Sequence, residues 1–327
     1  MIALKTTLKA AVSAVALTIA ASAANAEAWD MPMAYSASNF HSEMGVVFAD
    51  KVREYTGGDI DITVHPGGSL FKGGEIKRAI QTGQVPIGER FMSAHANEAP
   101  LLGWDNLPFV ATTYAQNEAL WNAAKDAVNA QLADLNLVVL YTCPWPGQGF
   151  YFNKEVNSSA DTQGVKFRSY NTATATFAEA LGMVPVQVEA AELSQALATG
   201  VAEAFISSGS TGYDRKVWEH LTHYYKVNAW MPRNYVMVNK GIWEGLSAET
   251  QAQIQQAADE TGAACAAKSE ELANWYFEQL EANGMSVVDA SPEFLAELKA
   301  IGEKMTADWL EQTGEQGQAI LDAYHNM

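Results

Sequence analysis

Long apolar runs, positive charge and cysteine are all scarce in this sequence, and each scarcity removes a class of function. Beyond the first 21 residues no stretch approaches the roughly 20 consecutive apolar residues of a membrane-spanning helix, so no membrane insertion of the mature chain is expected. Lys and Arg number only 20 against 38 Asp and Glu, a net charge of -18. A field of that sign repels nucleic acid and anionic lipid, which excludes nucleic acid as a partner. It also opposes a free anionic ligand, so an anion site here needs cations placed locally, and each pocket-lining Arg becomes informative. Two cysteines, Cys143 and Cys265, are all the chain has. Their number and spacing exclude a cysteine-based zinc site. Cys143 lies in an apolar strand-like run and Cys265 in a helical Ala-rich run, which leaves a disulfide and two buried thiols equally open. The chain also lacks a Gly-x-Ser-x-Gly elbow, a His-Glu-x-x-His pair, a phosphate loop and a Gly-x-Gly-x-x-Gly turn, which weakens an enzyme reading. No cofactor or metal is expected. His220 and His223 fall three apart on an expected helix, and without a third ligand nearby they read as a solvated helix face.

The amino terminus carries Lys5 and Lys9, then the apolar run Ala10 to Ala21, then Ala24-Asn25-Ala26. That order of charge, apolar core and small residues is a secretory signal. Residues 1–26 are therefore expected to be a signal peptide cleaved near Ala26, delivering a mature protein that begins at Glu27 to the periplasm. Its loss leaves 18 Lys and Arg against 38 Asp and Glu, a net of -20. About 300 mature residues exceed the usual limit of one hydrophobic core and favour two lobes.

Strand and helix patterns alternate along the chain. Helical spacing over His41 to Thr56, period-two alternation over Asp59 to His65, a helix from Gly74 to Thr82 and a strand from Val85 to Phe91 form a first α/β set. A helix from Tyr114 to Leu132 and the continuous apolar run Leu137 to Cys143 complete it. A second set has strands at Gly149 to Phe152, Val165 to Arg168, Val184 to Val188 and Ala204 to Ser207, with helices at Thr172 to Leu181 and Ala191 to Ala198. The alternation predicts parallel α/β layers. Ser247 to Ala282 stays helical, with Ser247 as cap and Asn283-Gly284 as stop. At 1.5 Å per residue it would run roughly 54 Å, longer than one lobe is wide, and so should span both. No flexible linker separates the sets, so several elements should join the lobes and permit hinge closure.

Arg168, in Lys166-Phe167-Arg168-Ser169-Tyr170-Asn171, stands at a strand end just before a helix. Ligands of α/β layers sit outside the carboxyl ends of strands, and a guanidinium there grips a carboxylate through two parallel hydrogen bonds. Pro144-Trp145-Pro146-Gly147-Gln148-Gly149 follows a buried strand and reads either as a packed corner between lobes or as a pocket wall. Trp230, before Met231-Pro232, poses the same choice.

A set of short segments in fixed order resembles the substrate-binding subunit of tripartite ATP-independent periplasmic (TRAP) transporters, the DctP-type family. They are Ser36-Ala37-Ser38-Asn39-Phe40-His41, Gly67-Gly68-Ser69-Leu70-Phe71 ahead of Glu75-Ile76, Gln81-Thr82-Gly83-Gln84, Leu107-Pro108-Phe109, Gly164-Val165-Lys166-Phe167-Arg168, Glu192 through Gly200, and Val238-Asn239-Lys240. The resemblance covers nearly the whole mature chain. It implies two α/β lobes with crossing hinge strands and a long helix along the back. Approximate bounds are 27–147 with 236–272 for lobe I and 148–235 with 273–327 for lobe II. It implies capture of a small organic acid for delivery to membrane subunits, with no catalysis. The family's carboxylate-gripping Arg matches Arg168. A second Arg of sialic-acid-binding relatives falls at Gln148, and a site Asn falls at Ser207. Both departures argue against sialic acid, and one end of a dicarboxylate would lack its cation. The expected ligand-binding set is Arg168 for the carboxylate, with Asn39, Glu89, Gln148, Asn171, Ser207 and Ser208 for polar groups. Phe40, Trp145, Tyr170, Tyr213 and Trp230 would supply apolar walls. So many aromatics around one Arg favour a monocarboxylate with an apolar or aromatic body. Two other function classes share the pattern: a periplasmic partner of a ligand sensor, and a secreted α/β enzyme acting on organic acids.

Overall fold

The computed structural model describes residues 26–327, so the expected signal peptide lies almost wholly outside the described residues. In chain order the elements are β1 (Glu27–Pro32), α1 (Phe40–Tyr55), β2 (Ile60–His65), α2 (Gly73–Gln81), β3 (Ile87–Phe91), α3 (Tyr114–Asp134) and β4 (Leu137–Pro144). Then come β5 (Gly149–Phe152), β6 (Lys166–Ser169), α4 (Thr172–Ala180), β7 (Val184–Gln187), α5 (Leu193–Ala198), β8 (Ala204–Ser207), α6 (Gly209–Asp214) and β9 (His223–Lys226). The chain ends with β10 (Arg233–Asn239), α7 (Lys240–Gly245), α8 (Ala248–Ala282), β11 (Ser286–Asp289), α9 (Pro292–Thr313) and α10 (Glu315–His325).

These elements form two α/β lobes. In the first, β1 pairs parallel with β2, β10 lies between β3 and β4, and the bridge from Met33 to Glu89 joins the two small sheets. In the second, six strands run in the order β11-β9-β5-β8-β6-β7. The layers are not uniformly parallel. β10 is antiparallel to β3 and β4, and β5 is antiparallel to β8 and β9. The reason is the crossing: the chain leaves the first lobe along β4 into β5 and returns along β9 into β10. Between the lobes the two crossings stay hydrogen-bonded, Trp145 N to Pro232 O and Gln148 N to Trp230 O. The Pro144 to Gly149 segment is thus half of a two-stranded hinge.

Helix α8 is capped by the Ser247 side chain, which accepts from Thr250 N, and its 35 residues touch both lobes, meeting α1 and β4 along one part and α6 and β11 along another. Cys143 at the end of β4 is disulfide-bonded to Cys265 in the middle of α8. That bond settles the open choice between paired and free thiols. Phe40, Met44 and Trp145 pack around it. Each lobe has its own core. Trp309, Ile320 and Leu321 near the carboxyl terminus pack with Leu120, Ala124 and Val128 of α3, whereas Phe294 and Leu298, earlier in α9, pack with Phe150, Phe167 and Phe177. Helix α9 therefore bridges the lobes as α8 does.

His220 and His223 do not share a helix. His220 ends a short helical turn, and His223 opens β9, paired with Phe152 and Ser286. The aromatic-rich sequence His223-Tyr224-Tyr225 suits the strand, because Tyr224 and Tyr225 are buried on its two faces.

Candidate functional site: a cleft between the lobes

Helix α4 begins where β6 ends, and that junction sets the floor of the cleft. Phe167 points into the lobe core beside Phe150 and Phe177. One residue on, the strand's alternation turns Arg168 to the opposite face, where it is 3% exposed. Its Nε donates to Val188 O at 2.8 Å, just beyond the end of β7, and its guanidinium lies 5.2 Å from the Tyr170 ring centre. Among the described residues neither terminal nitrogen has a hydrogen-bond partner. Both can serve a two-point grip on a carboxylate. Burial pulls the Arg168 pKa down to about 10, with Tyr170 and Glu189 acting the other way. The group stays charged at neutral pH.

Arg168 opens onto a small cavity walled by both lobes and by the hinge. Tyr35 and Phe91 come from the first lobe. Trp145, Gln148 and Pro232 come from the crossing segments. Tyr170, Glu189, Ala190, Ser207 and Thr211 come from the second lobe. A relay of hydrogen bonds fixes the wall beside Arg168: Trp230 Nε1 donates to Tyr170 Oη at 2.9 Å, Tyr170 Oη donates to Gln148 Oε1 at 3.3 Å, and Gln148 Nε2 donates to Pro146 O at 3.0 Å. Ser207 Oγ donates to Thr211 Oγ1 at 2.8 Å, leaving the Thr211 hydroxyl hydrogen free.

Of the residues expected to meet ligand, Arg168, Trp145, Gln148, Tyr170 and Ser207 line this cavity. The other seven are placed elsewhere. Asn39 caps α1 and donates to Ser210 Oγ and Asp214 Oδ2 at 3.2 and 2.7 Å, across from one lobe to the other. Asn171 caps α4 and donates to Asn106. Ser208 caps α6. Glu89 is buried against His41, its Oε1 lying 3.2 Å from His41 Nδ1. Phe40 packs edge-on to Trp145, and Tyr213 packs on Trp275. Trp230 is one layer behind the wall, holding Tyr170. His41, Cys143 and Cys265 have ligand atoms within 4.8 Å of one another, but the two sulfurs are bonded together and offer no thiolate to a metal.

Sequence reasoning missed Tyr35, Phe91, Glu189, Ala190, Thr211 and Pro232. The rule that singled out Arg168 reaches three of them, because Phe91 ends β3 and Tyr35 and Glu189 lie just past the ends of β1 and β7. The lobes meet in this structure. Besides the Asn39 and Asn171 bridges, Arg90 of β3 pairs with Glu189 from the far lobe at 3.2 Å.

A two-lobed clamp, hinged on crossing strands and closed over a buried, unpaired guanidinium, is the architecture of a receptor for a small anionic solute. This chain belongs to the bacterial extracellular solute-binding protein family 7, DctP, whose model matches residues 33–313. Among solved structures, a marine metagenome TRAP solute-binding protein from an unidentified microbe, described as specific for pyroglutamate and holding co-purified pyroglutamate, is 79% identical. The match covers 92% of this chain and 99% of that one with a TM-score of 0.92. DctP6 of Bordetella pertussis, an extracytoplasmic solute receptor binding pyroglutamic acid, is 40% identical over 92% of this chain and 100% of its own, TM-score 0.90. The C4-dicarboxylate-binding periplasmic protein DctP of Rhodobacter capsulatus is 27% identical over 223 residues, and the match spans 65% of that protein's length.

Proposed function

We propose that this chain is the periplasmic solute-binding subunit of a TRAP transporter, and that it captures pyroglutamate and hands it, unaltered, to membrane subunits. The observation that carries the reading is the buried Arg168, whose terminal nitrogens face a small cavity with aromatic and proline walls. Such a cavity matches a compact ring bearing one carboxylate. The 79% identical structure with its co-purified pyroglutamate supports that choice of ring. Among the described residues no helix is long and apolar enough to cross a membrane, which agrees with an exported receptor that docks on separate membrane subunits. We take residues 1–26 as the signal that exports it. Lobe I then comprises roughly 27–147 and 236–272, and lobe II 148–235 and 273 onward, with α10 returning to pack on lobe I.

Arg168 would grip the carboxylate, Trp145, Phe91 and Pro232 would enclose the ring, and Gln148, Thr211 and Tyr35 would face its polar edge. Contacts made only with both lobes present shift the open–closed equilibrium toward closure. Thermal unfolding of refolded, ligand-free protein against pyroglutamate, with sugars, amino acids and dicarboxylates alongside, tests the cargo. Pyroglutamate at about 100 times its dissociation constant should add roughly 2.7 kcal/mol of stability. A shift by a sugar with none by pyroglutamate would remove the role given to Arg168.

A further inference from the structure

Glu189 is the one acidic side chain on the cavity wall, and a carboxylate is an odd neighbour for an anion site in so acidic a protein. Its position is nonetheless built with care. Glu189 belongs to the second lobe, and Arg90 of the first lobe reaches both of its oxygens, Nη2 to Oε1 at 3.2 Å and Nη1 to Oε2 at 3.4 Å. Gly73, the first residue of α2, makes room for the pair. A Cβ there would stand 2.9 Å from Glu189 Oε2 and 2.7 Å from Arg90 Nη1. The two contacts are longer than the 2.7 to 2.9 Å usual for such ion pairs, and each carboxylate oxygen keeps a lone pair for another donor.

Gln148 Oε1 and Thr211 Oγ1 each already accept one hydrogen bond, from Tyr170 and Ser207, and of the side-chain acceptors on the wall Glu189 is the charged one, which makes it the strongest partner for an N–H. The charges also decide. On the wall itself Arg168 is the cation and Glu189 the anion, so a ligand's carboxylate is directed to Arg168 and away from Glu189. A second carboxylate on the ligand near Glu189 would meet a like charge.

Resting on the cyclic-amide reading above, we propose that Glu189 is the specificity-determining residue of this site: it accepts the hydrogen bond of the ligand's ring N–H and rejects ligands that lack a donor there, open-chain dicarboxylates included. Sites built to hydrogen-bond an N–H discriminate against analogues without it; here Glu189 stays paired with Arg90, and an analogue that sets a ring oxygen against its carboxylate exchanges a charge-assisted hydrogen bond for lone-pair repulsion.

The test is calorimetric titration of the ligand-free protein with L-pyroglutamate, with its lactone isostere 5-oxotetrahydrofuran-2-carboxylate, in which oxygen replaces the ring N–H, and with glutarate. Wild type should bind the lactone at least 100-fold more weakly than the lactam. In Glu189→Gln, whose amide can turn its NH2 toward the ring oxygen, that gap should close to about tenfold or less, and glutarate should bind better than it does to wild type. Equal binding of lactam and lactone by wild type, or an unchanged gap in the variant, overturns this inference and leaves the cargo reading standing. Failure of wild type to bind pyroglutamate at all overturns both.

Discussion

Arg168 combines three properties rarely found together: it is buried, its Nε is tied to Val188 O, and its two terminal nitrogens look into a cavity. Replacing it with Ala would strand a ligand carboxylate without a counter-charge, and the expected loss of affinity by calorimetry is about 2–5 kcal/mol. Arg168→Lys should recover little of it, since an ammonium cannot reproduce the two-point geometry. The short helical segment Pro100–Asn106 holds a carboxyl of a different kind. Asp105 is buried and accepts from Arg233 N at 2.8 Å, and burial raises its pKa from 3.8 to about 7. Between pH 3.8 and 7 the folded state therefore binds more protons at Asp105 than the unfolded state does, so this group's contribution to stability falls as pH rises through that window. Asp105→Asn should stabilise the protein at pH 8 by about 1–3 kcal/mol, with the advantage shrinking at pH 5. Denaturant titrations at the two pH values would reveal it. At this scale the sequence singles out a residue whose chemistry is unusual, as Arg168 on the cavity wall, and is ambiguous where chemistry is ordinary. Asn39, Asn171 and Ser208 all stand where a helix is about to begin, and all three proved to be helix caps. A polar residue there can bind ligand or satisfy the helix's own N–H groups, and the local sequence is the same for both.

Local pattern placed the strands and helices it named to within about two residues, because hydrophobic period and capping residues are properties of short segments, but it named none of α6, β9, β10, α7, β11 or α10. Strand direction is not such a property. β5 reads as an ordinary strand, and only the crossing between lobes makes it antiparallel to its neighbours; β10, which the pattern did not mark as a strand, is antiparallel to β3 and β4 for the same reason. His223 was misplaced for a related reason: its strand is defined by pairing with Phe152 and Ser286, far away in sequence. The disulfide from β4 to α8 joins positions 122 apart, and a cross-link closing a loop of that size stabilises by up to about 5 kcal/mol through the unfolded chain. The double variant Cys143→Ser, Cys265→Ser should melt well below wild type, by an amount that adding reductant to wild type reproduces. Equal melting with and without the bond would mean that packing around Phe40, Met44 and Trp145 holds the hinge unaided.

Across the whole molecule, closure is carried by a few side chains that reach from one lobe to the other: Asn39 to Ser210 and Asp214, Arg90 to Glu189, and Asn171 to Asn106. None of these pairs can form with the lobes apart, so each adds to the closed side of an equilibrium that ligand binding tips further. Small-angle scattering should accordingly show the radius of gyration falling when pyroglutamate is added to ligand-free protein. An unchanged radius would mean that the cleft does not open. The most direct measurement is a calorimetric titration of refolded, ligand-free wild type and Arg168→Ala with L-pyroglutamate, side by side. The clamp account predicts one site per chain in wild type and at least a 30-fold loss in the variant; no binding by wild type, or equal binding by both, would contradict it.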